Sequence, residues 1–249
     1  MTDSKPLKPT IPSVSSGLAK TTSNTTLDTN RQGVGVKLPG LHARLRNPKN
    51  ELGVVDATKC TNRLALMLDV SGSMGGNKIS SLRDAVTGFI SACDFSDTSI
   101  AMEPFGDDYP SPNRVVQTTL APMLMTTAMM LQAEGGTPMA RAMDYVINTY
   151  SITRGVLVSD GEPDSAQAAY DSAAQYREAG IMIDCVHIGD SSSGEACLRR
   201  IAEITGGQYI KFTDVSSFSK SFKYLTPKFY AMLTSGSVTA SDIGAKELK

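Results

Sequence analysis

The chain has 249 residues, 41% of them hydrophobic and 20% charged, with no tryptophan and a formal net charge of -1. That is the composition of an ordinary soluble globular protein, and the length suits one large domain or one domain with extensions. No run of ~18 apolar residues is present to span a bilayer, and the opening MTDSKPLKPT lacks the apolar core of a secretion signal.

The four cysteines (Cys60, Cys93, Cys185, Cys197) lie far apart with no CxxC spacing, so the expected setting is reducing and cytoplasmic. Charge is unevenly spread: residues 1–60 hold nine Lys and Arg against four acids, which leaves the remaining 189 residues at -6. A basic arm beside an acidic body can contact an acidic partner, nucleic acid or the body itself, or stay solvated. Nucleic acid and membrane are not the partners expected here.

Residues 1–33, rich in Ser, Thr, Pro and Asn, have too few large hydrophobes to offset ordering entropy and are expected to be a disordered arm. Residues 34–59 read as an extended basic segment. The body follows at 60–234, and 235–249 is a polar tail.

Within the body the strand candidates are 64–69, 99–105, 114–119, 154–159, 181–188 and 208–212. The first, fourth and fifth (LALMLD, RGVLVSD, IMIDCVHIG) are nearly continuous in apolar residues, as strands buried on both faces must be. The turn-rich GDDYPSPN between the second and third predicts a hairpin. Helices are predicted where apolar residues recur every three or four positions, beginning with Ile79, Leu82, Val86, Phe89, Ile90 and Cys93. Others are expected at 121–132, 138–150, 165–179, 195–205 and 215–233. The last carries a stripe of Phe218, Phe222, Leu225, Phe229 and Met232, kinked or restarted at Pro227 with Thr226 as cap. The fold class is therefore α/β: a doubly wound, Rossmann-like, mostly parallel sheet of six strands with helices on both faces and one antiparallel edge hairpin.

The stretch LALMLDVSGSMGGNK, residues 64–78, admits three chemistries. A phosphate cradle requires G-x-x-x-x-G-K-[ST], but from Gly72 the register places Asn77 and Ile79 at the second glycine and hydroxyl positions. An aspartyl nucleophile of the haloacid-dehalogenase kind matches at Asp69, but the general acid expected two residues later is Ser71, which does not shuttle protons near neutral pH. A cation site remains: Asp69, Ser71 and Ser73 alternate along a glycine-flanked loop, and their oxygens are hard ligands suited to Mg2+, Mn2+ or Ca2+. With strand order 3-2-1-4-5-6, the strand ending at Asp69 neighbours the one leading to Asp160, and a divalent ion relieves the repulsion of two facing carboxylates. Thr137, after two glycines and before Pro138, is a further candidate, although Thr before Pro is also an ordinary helix cap.

Asp69, Ser71, Ser73, Thr137 and Asp160, in DVSGSM, GGTPM and SDGEPD, resemble the metal-ion-dependent adhesion site of von Willebrand factor type A (vWA) domains, over roughly residues 60–234. The resemblance implies Ser71, Ser73 and Thr137 as direct ligands of Mg2+, with Asp69 and Asp160 acting mostly through water. It implies an open coordination position that accepts an Asp or Glu of a protein partner, and hence a binding device rather than an enzyme. It further suggests an intracellular microbial protein working beside an AAA-type ATPase or assembly neighbours. The alternatives are a component of a larger particle using its basic arm and, in another class, a phosphohydrolase or nucleotide-binding α/β protein.

Other features have plainer readings. Asp164, with Gln167 three residues on, reads as the cap of the next helix. Glu162 rims the site or is solvated, and the acidic pair Asp107 and Asp108 reads as a solvated loop. His187 reads as a hydrogen-bonded core histidine, and neither it nor His42 has a companion at zinc spacing. The methionines Met123, Met125, Met129, Met130, Met139 and Met143 read first as core filling and second as an adaptable contact face.

Overall fold

The computed structural model describes residues 56–106, 110–212, 214–222, 225–226, 241, 245 and 247–248. The arm, most of the 34–59 segment, His42, Asp107, Asp108 and the stretch bearing Phe229 and Met232 lie outside them. All six expected strands form: β1 (Asn62–Asp69), β2 (Thr98–Phe105), β3 (Val115–Thr118), β4 (Arg154–Ser159), β5 (Met182–Ile188) and β6 (Tyr209–Phe212). Their order is β3-β2-β1-β4-β5-β6, with β1, β2, β4, β5 and β6 parallel and β3 antiparallel to β2 at one edge. At the opposite edge the sheet gains a seventh strand, β7 (Glu247–Leu248), antiparallel to β6, where a polar tail was expected.

Period-two alternation sorts the strand side chains into two cores. Leu64, Leu66 and Leu68 of β1 point to one face with Val156, Val158, Val186 and Ile188. Ala65 and Met67 point to the other with Leu157, Ile183 and Cys185. Helices α1 (Asn77–Ala92), α2 (Ala121–Met129) and α6 (Val215–Ser221) cover the first face. Helices α3 (Met139–Thr149), α4 (Ala166–Glu178) and α5 (Ser192–Thr205) cover the second. The central strands are thus sealed on both sides, and their carboxyl ends open onto loops instead of packing. The four cysteines are free thiols, three of them buried.

Three helices differ from expectation, the first being α2, which ends at Met129, three residues short of 132. Helix α5 starts three residues early because Ser191 caps it, its hydroxyl accepting from Gly194 N at 3.2 Å. Helix α6 ends at Ser221, ahead of the break expected at Pro227, and Leu225, already off the helix, is still fully buried; the expected stretch from Pro227 to 233 lies outside the described residues. The Thr226-Pro227 step disfavours helical backbone before the proline. At the end of the helix the Phe218 and Phe222 rings lie 5.3 Å apart in a tilted pair, and Phe222 meets Phe89 of α1 at 5.4 Å. The visible end of the 34–59 segment, Ala57–Lys59, is a 3-10 turn and not extended, with the Asp56 side chain capping Thr58 N.

Gly206 and Gly207, which link α5 to β6, play separate roles. Gly206 ends the helix in the left-handed region at φ 74, with open space around its missing side chain. Gly207 packs so tightly that a Cβ would lie 1.9 Å from the Ile183 carbonyl oxygen of β5. We expect Gly206→Ala to cost about 1 kcal/mol through backbone strain alone and Gly207→Ala to cost about 3 kcal/mol or more through displacement of a sheet strand. Urea denaturation of both variants checks this, and equal losses would contradict it.

Candidate metal centre

Three loops meet at the carboxyl end of the sheet, above the β1/β4 pair. This is where the chain order reverses: β2 lies on one side of β1 and β4 on the other, the position at which doubly wound sheets bind ligands. The parallel register pairs Leu68 with Val158, so Asp69 at the end of β1 and Ser159–Asp160 at the end of β4 come side by side.

The first loop, residues 70–76, folds around its own aspartate. Asp69 is fully buried; its Oδ1 accepts from Ser71 N at 2.8 Å and its Oδ2 from Ser159 Oγ at 2.5 Å. Ser71 Oγ and Ser73 Oγ lie 3.0 Å apart, and Ser73 Oγ donates to Asp160 Oδ1 at 2.7 Å. Asp160 is 4% exposed and Ser71 2%, whereas Ser73 is open to solvent. Four of the five residues singled out from the sequence are therefore joined in one hydrogen-bonded chain.

Thr137 is held at the same end by its backbone. Gly72 N donates to Gly135 O at 2.9 Å and Glu134 N to Val70 O at 2.7 Å, which ties the Thr137 loop to the first loop. On its other side Thr137 N donates to Asp164 Oδ1 at 2.9 Å, and Asp164 N returns a bond to Thr137 O at 3.0 Å. Asp164 is thus not the cap of α4; Ser165 is, accepting from Ala168 N at 3.3 Å. The acidic side chain is used instead to hold two loops in register. Nor does Thr137 occupy a capping position: Pro138 is the cap of α3 and makes no side-chain capping bond.

The third loop, after β4, is set by a close glycine approach. A Cβ on Gly194, in the first turn of α5, would lie 2.8 Å from the carbonyl of Gly161, so α5 backs directly onto the residue after Asp160. Glu162 is exposed at the rim. His187 has the expected core role, with Nδ1 3.0 Å from the Tyr209 hydroxyl, and burial depresses its pKa. Lys78, which was not among the candidate site residues, reaches the site: its Nζ donates to Asp160 Oδ2 and, at 3.3 Å, to Ser73 O. The methionine cluster divides. Met139 and Met143 are core, whereas Met129 and Met130 are 67% and 57% exposed beside a groove of about 410 Å³ lined also by Val70, Gly106 and Glu134.

The donor set suits a hard divalent cation. Among the described residues no group of three His, Cys, Asp or Glu comes together; the oxygens gathered here are those of two carboxylates and the serine hydroxyls. With the Ser73 proton committed to Asp160, Ser71 is the donor across the serine pair, and one lone pair of Ser73 remains for a cation. The 3.0 Å between the two serine oxygens matches adjacent corners of an octahedron with metal–oxygen bonds of about 2.1 Å, which are about 3.0 Å apart.

Burial raises the Asp69 pKa from 3.8 to about 6, against the lowering effect of its Ser159 and Ser71 hydrogen bonds. The native chain therefore holds this proton at pH values where the unfolded chain has lost it. Without a cation, Asp69 costs stability increasingly as pH rises from 3.8 through about 6. We expect Asp69→Asn, which keeps the shape, to raise stability in EDTA by on the order of 2 kcal/mol above pH ~7, with the gain vanishing below pH ~4. Thermal unfolding across pH checks this, and a loss of stability at every pH would contradict it.

A search of curated protein sequences finds no match for the chain. Among solved structures, the vWF domain of the type V pili tip protein Mfa5 from Porphyromonas gingivalis superimposes with a TM-score of 0.57 at 12% identity, over 72% of this chain and 97% of that one. Proximal thread matrix protein 1 from the mussel byssus, in a form with a zinc-occupied MIDAS motif, gives 0.52 at 14% identity, over 68% of this chain and 46% of that one. The chain thus spans less than half of the mussel protein. The SpRpn10 VWA domain gives 0.51 at 12% identity, over 63% and 94%. At such identities these likenesses speak for the fold. The sequence model of the von Willebrand factor type A domain matches residues 64–225, most of the body and more than half of the chain, and the chain belongs to that family.

Proposed function

We propose that the protein is a non-catalytic protein-interaction module that binds a divalent cation, Mg2+ in the first instance, and through it captures an acidic residue of a partner protein. Ser71, Ser73 and Thr137 hold the ion directly, while Asp69 and Asp160 act through water. The observation that carries this reading is the pair of serine oxygens 3.0 Å apart, backed by two buried carboxylates that their hydroxyl neighbours already engage. When bound, the ion supplies an open coordination corner with strong attraction for a carboxylate oxygen.

The protein's own residues do the rest. Hydroxyl ligands bring no charge, and both aspartates share their charge with hydrogen-bond donors, so the ion keeps most of its positive charge for the partner. The zinc-occupied MIDAS of the mussel thread protein is a precedent for a cation at this type of site. The exposed methionines beside the groove offer a soft apolar surface for whatever flanks the partner's acidic residue. Among the described residues no helix is long and apolar enough to cross a membrane. A cytoplasmic setting, with an AAA-type ATPase or assembly neighbours as partner, completes the proposal.

Two measurements test it. Calorimetric titration is expected to find one Mg2+ or Mn2+ site, weakened about tenfold or more by Thr137→Ala or Ser73→Ala. Affinity purification in Mg2+ is expected to retain a partner that EDTA and Thr137→Ala release. Retention indifferent to both would contradict a metal-bridged contact. Hydrolysis of a generic phosphate ester that disappears in Asp69→Asn would favour the enzyme reading instead.

A further inference from the structure

Lys78 occupies a position that local helix physics disfavours. It is in the first turn of α1, whose cap, Gly76, gives no side-chain bond and whose first turn holds no acidic residue. Exposed backbone N–H groups make that end of a helix positive, and a cation there is repelled. Its placement makes sense through the site beside it. The ammonium pairs with Asp160 Oδ2, on a carboxylate whose side chain is 1% exposed, and also donates to the Ser73 carbonyl.

We propose that Lys78 is the built-in counter-ion of the metal-free site, which a divalent cation must displace in order to bind. This rests on the metal reading given above and adds a control on loading. Both cations draw on Asp160 and on the same loop: the ammonium uses Oδ2 and the Ser73 carbonyl, while an ion between the serine oxygens lies beside Oδ1 of the same carboxylate. Two positive centres that close repel each other, and the one on a flexible stem yields.

A way out exists, since the Lys78 side chain is 33% exposed and its four-carbon chain can carry the ammonium into solvent. Until displaced, the lysine does two things. It keeps Asp160 paired, so that the empty site does not leave a buried carboxylate without a counter-charge. It also raises the ion concentration at which the site fills. Lys78 thus sets a loading threshold, and it preserves the loop in the shape that receives the ion.

The test uses the full chain and Mn2+ alone. Calorimetry at fixed pH and ionic strength is expected to show Lys78→Met binding Mn2+ about tenfold more tightly than the parent chain, with Lys78→Arg close to the parent. In EDTA, Lys78→Met is expected to unfold at a lower temperature than the parent, and saturating Mn2+ to narrow or abolish that difference. If Lys78→Met proves unstable, Lys78→Gln serves in the same titration. Equal or weaker Mn2+ binding by the uncharged variants, with the parent still binding, would overturn the counter-ion role and leave the metal site standing. Failure of both parent and variants to bind Mn2+ would remove the site and this inference together.

Discussion

Two carboxylates placed side by side at the buried end of a parallel sheet set the terms for everything around them. Asp69 and Asp160 sit at the ends of adjacent strands, 0% and 4% exposed. Neither can be left there as a bare charge. Asp69 is answered by a backbone N–H and the Ser159 hydroxyl, Asp160 by the Ser73 hydroxyl and the Lys78 ammonium. Asp69 is met by neutral donors alone and stays costly when charged, whereas Asp160 also has an ammonium beside it, so the two carboxylates are compensated unequally.

The fold creates this situation through its winding. Because β1 is followed by β2 on one side and bordered by β4 on the other, the loops leaving β1 and β4 diverge to opposite faces and leave a crevice. Main-chain bonds then close it into a defined shape: Gly72 to Gly135, Glu134 to Val70, and the reciprocal pair between Thr137 and Asp164. The contact of Gly194 with Gly161 adds a rigid backstop, since a helix turn packed on a peptide carbonyl leaves no room for the loop to retreat. Rigidity of this kind separates a binding site from a flexible acidic loop, and it comes from backbone rather than from the ligand side chains themselves.

Much of the fold was legible because buried parallel strands and amphipathic helices leave strong periodic marks. LALMLD could be read as a sealed strand, and the alternation of strands and helices implied a mostly parallel sheet covered on both faces. The site was legible where its residues cluster, in DVSGSM. The rest depended on tertiary use of residues whose local signals point elsewhere. Asp164 looks like a cap by spacing, but Ser165 takes that role and frees the carboxylate to hold Thr137. Lys78 gave a weak clue, a cation at the wrong end of a helix, which becomes informative only once Asp160 is seen above it. Of the stripe read after 215, Phe218, Phe222 and Leu225 are buried, whereas the helix ends at Ser221, because burial of Leu225 does not require helical backbone there. The methionine run was divided by burial, which composition alone does not encode.

The most direct test of the central claim is crystallographic: Mn2+ diffused into crystals of the protein and located by its anomalous scattering. One ion is expected, bonded at about 2.1 Å to Ser71 Oγ and Ser73 Oγ, on the side of Asp160 facing solvent and within reach of Thr137. An ion bound elsewhere, or a site that stays empty at saturating Mn2+ with the serine pair still hydrogen-bonded, would contradict it.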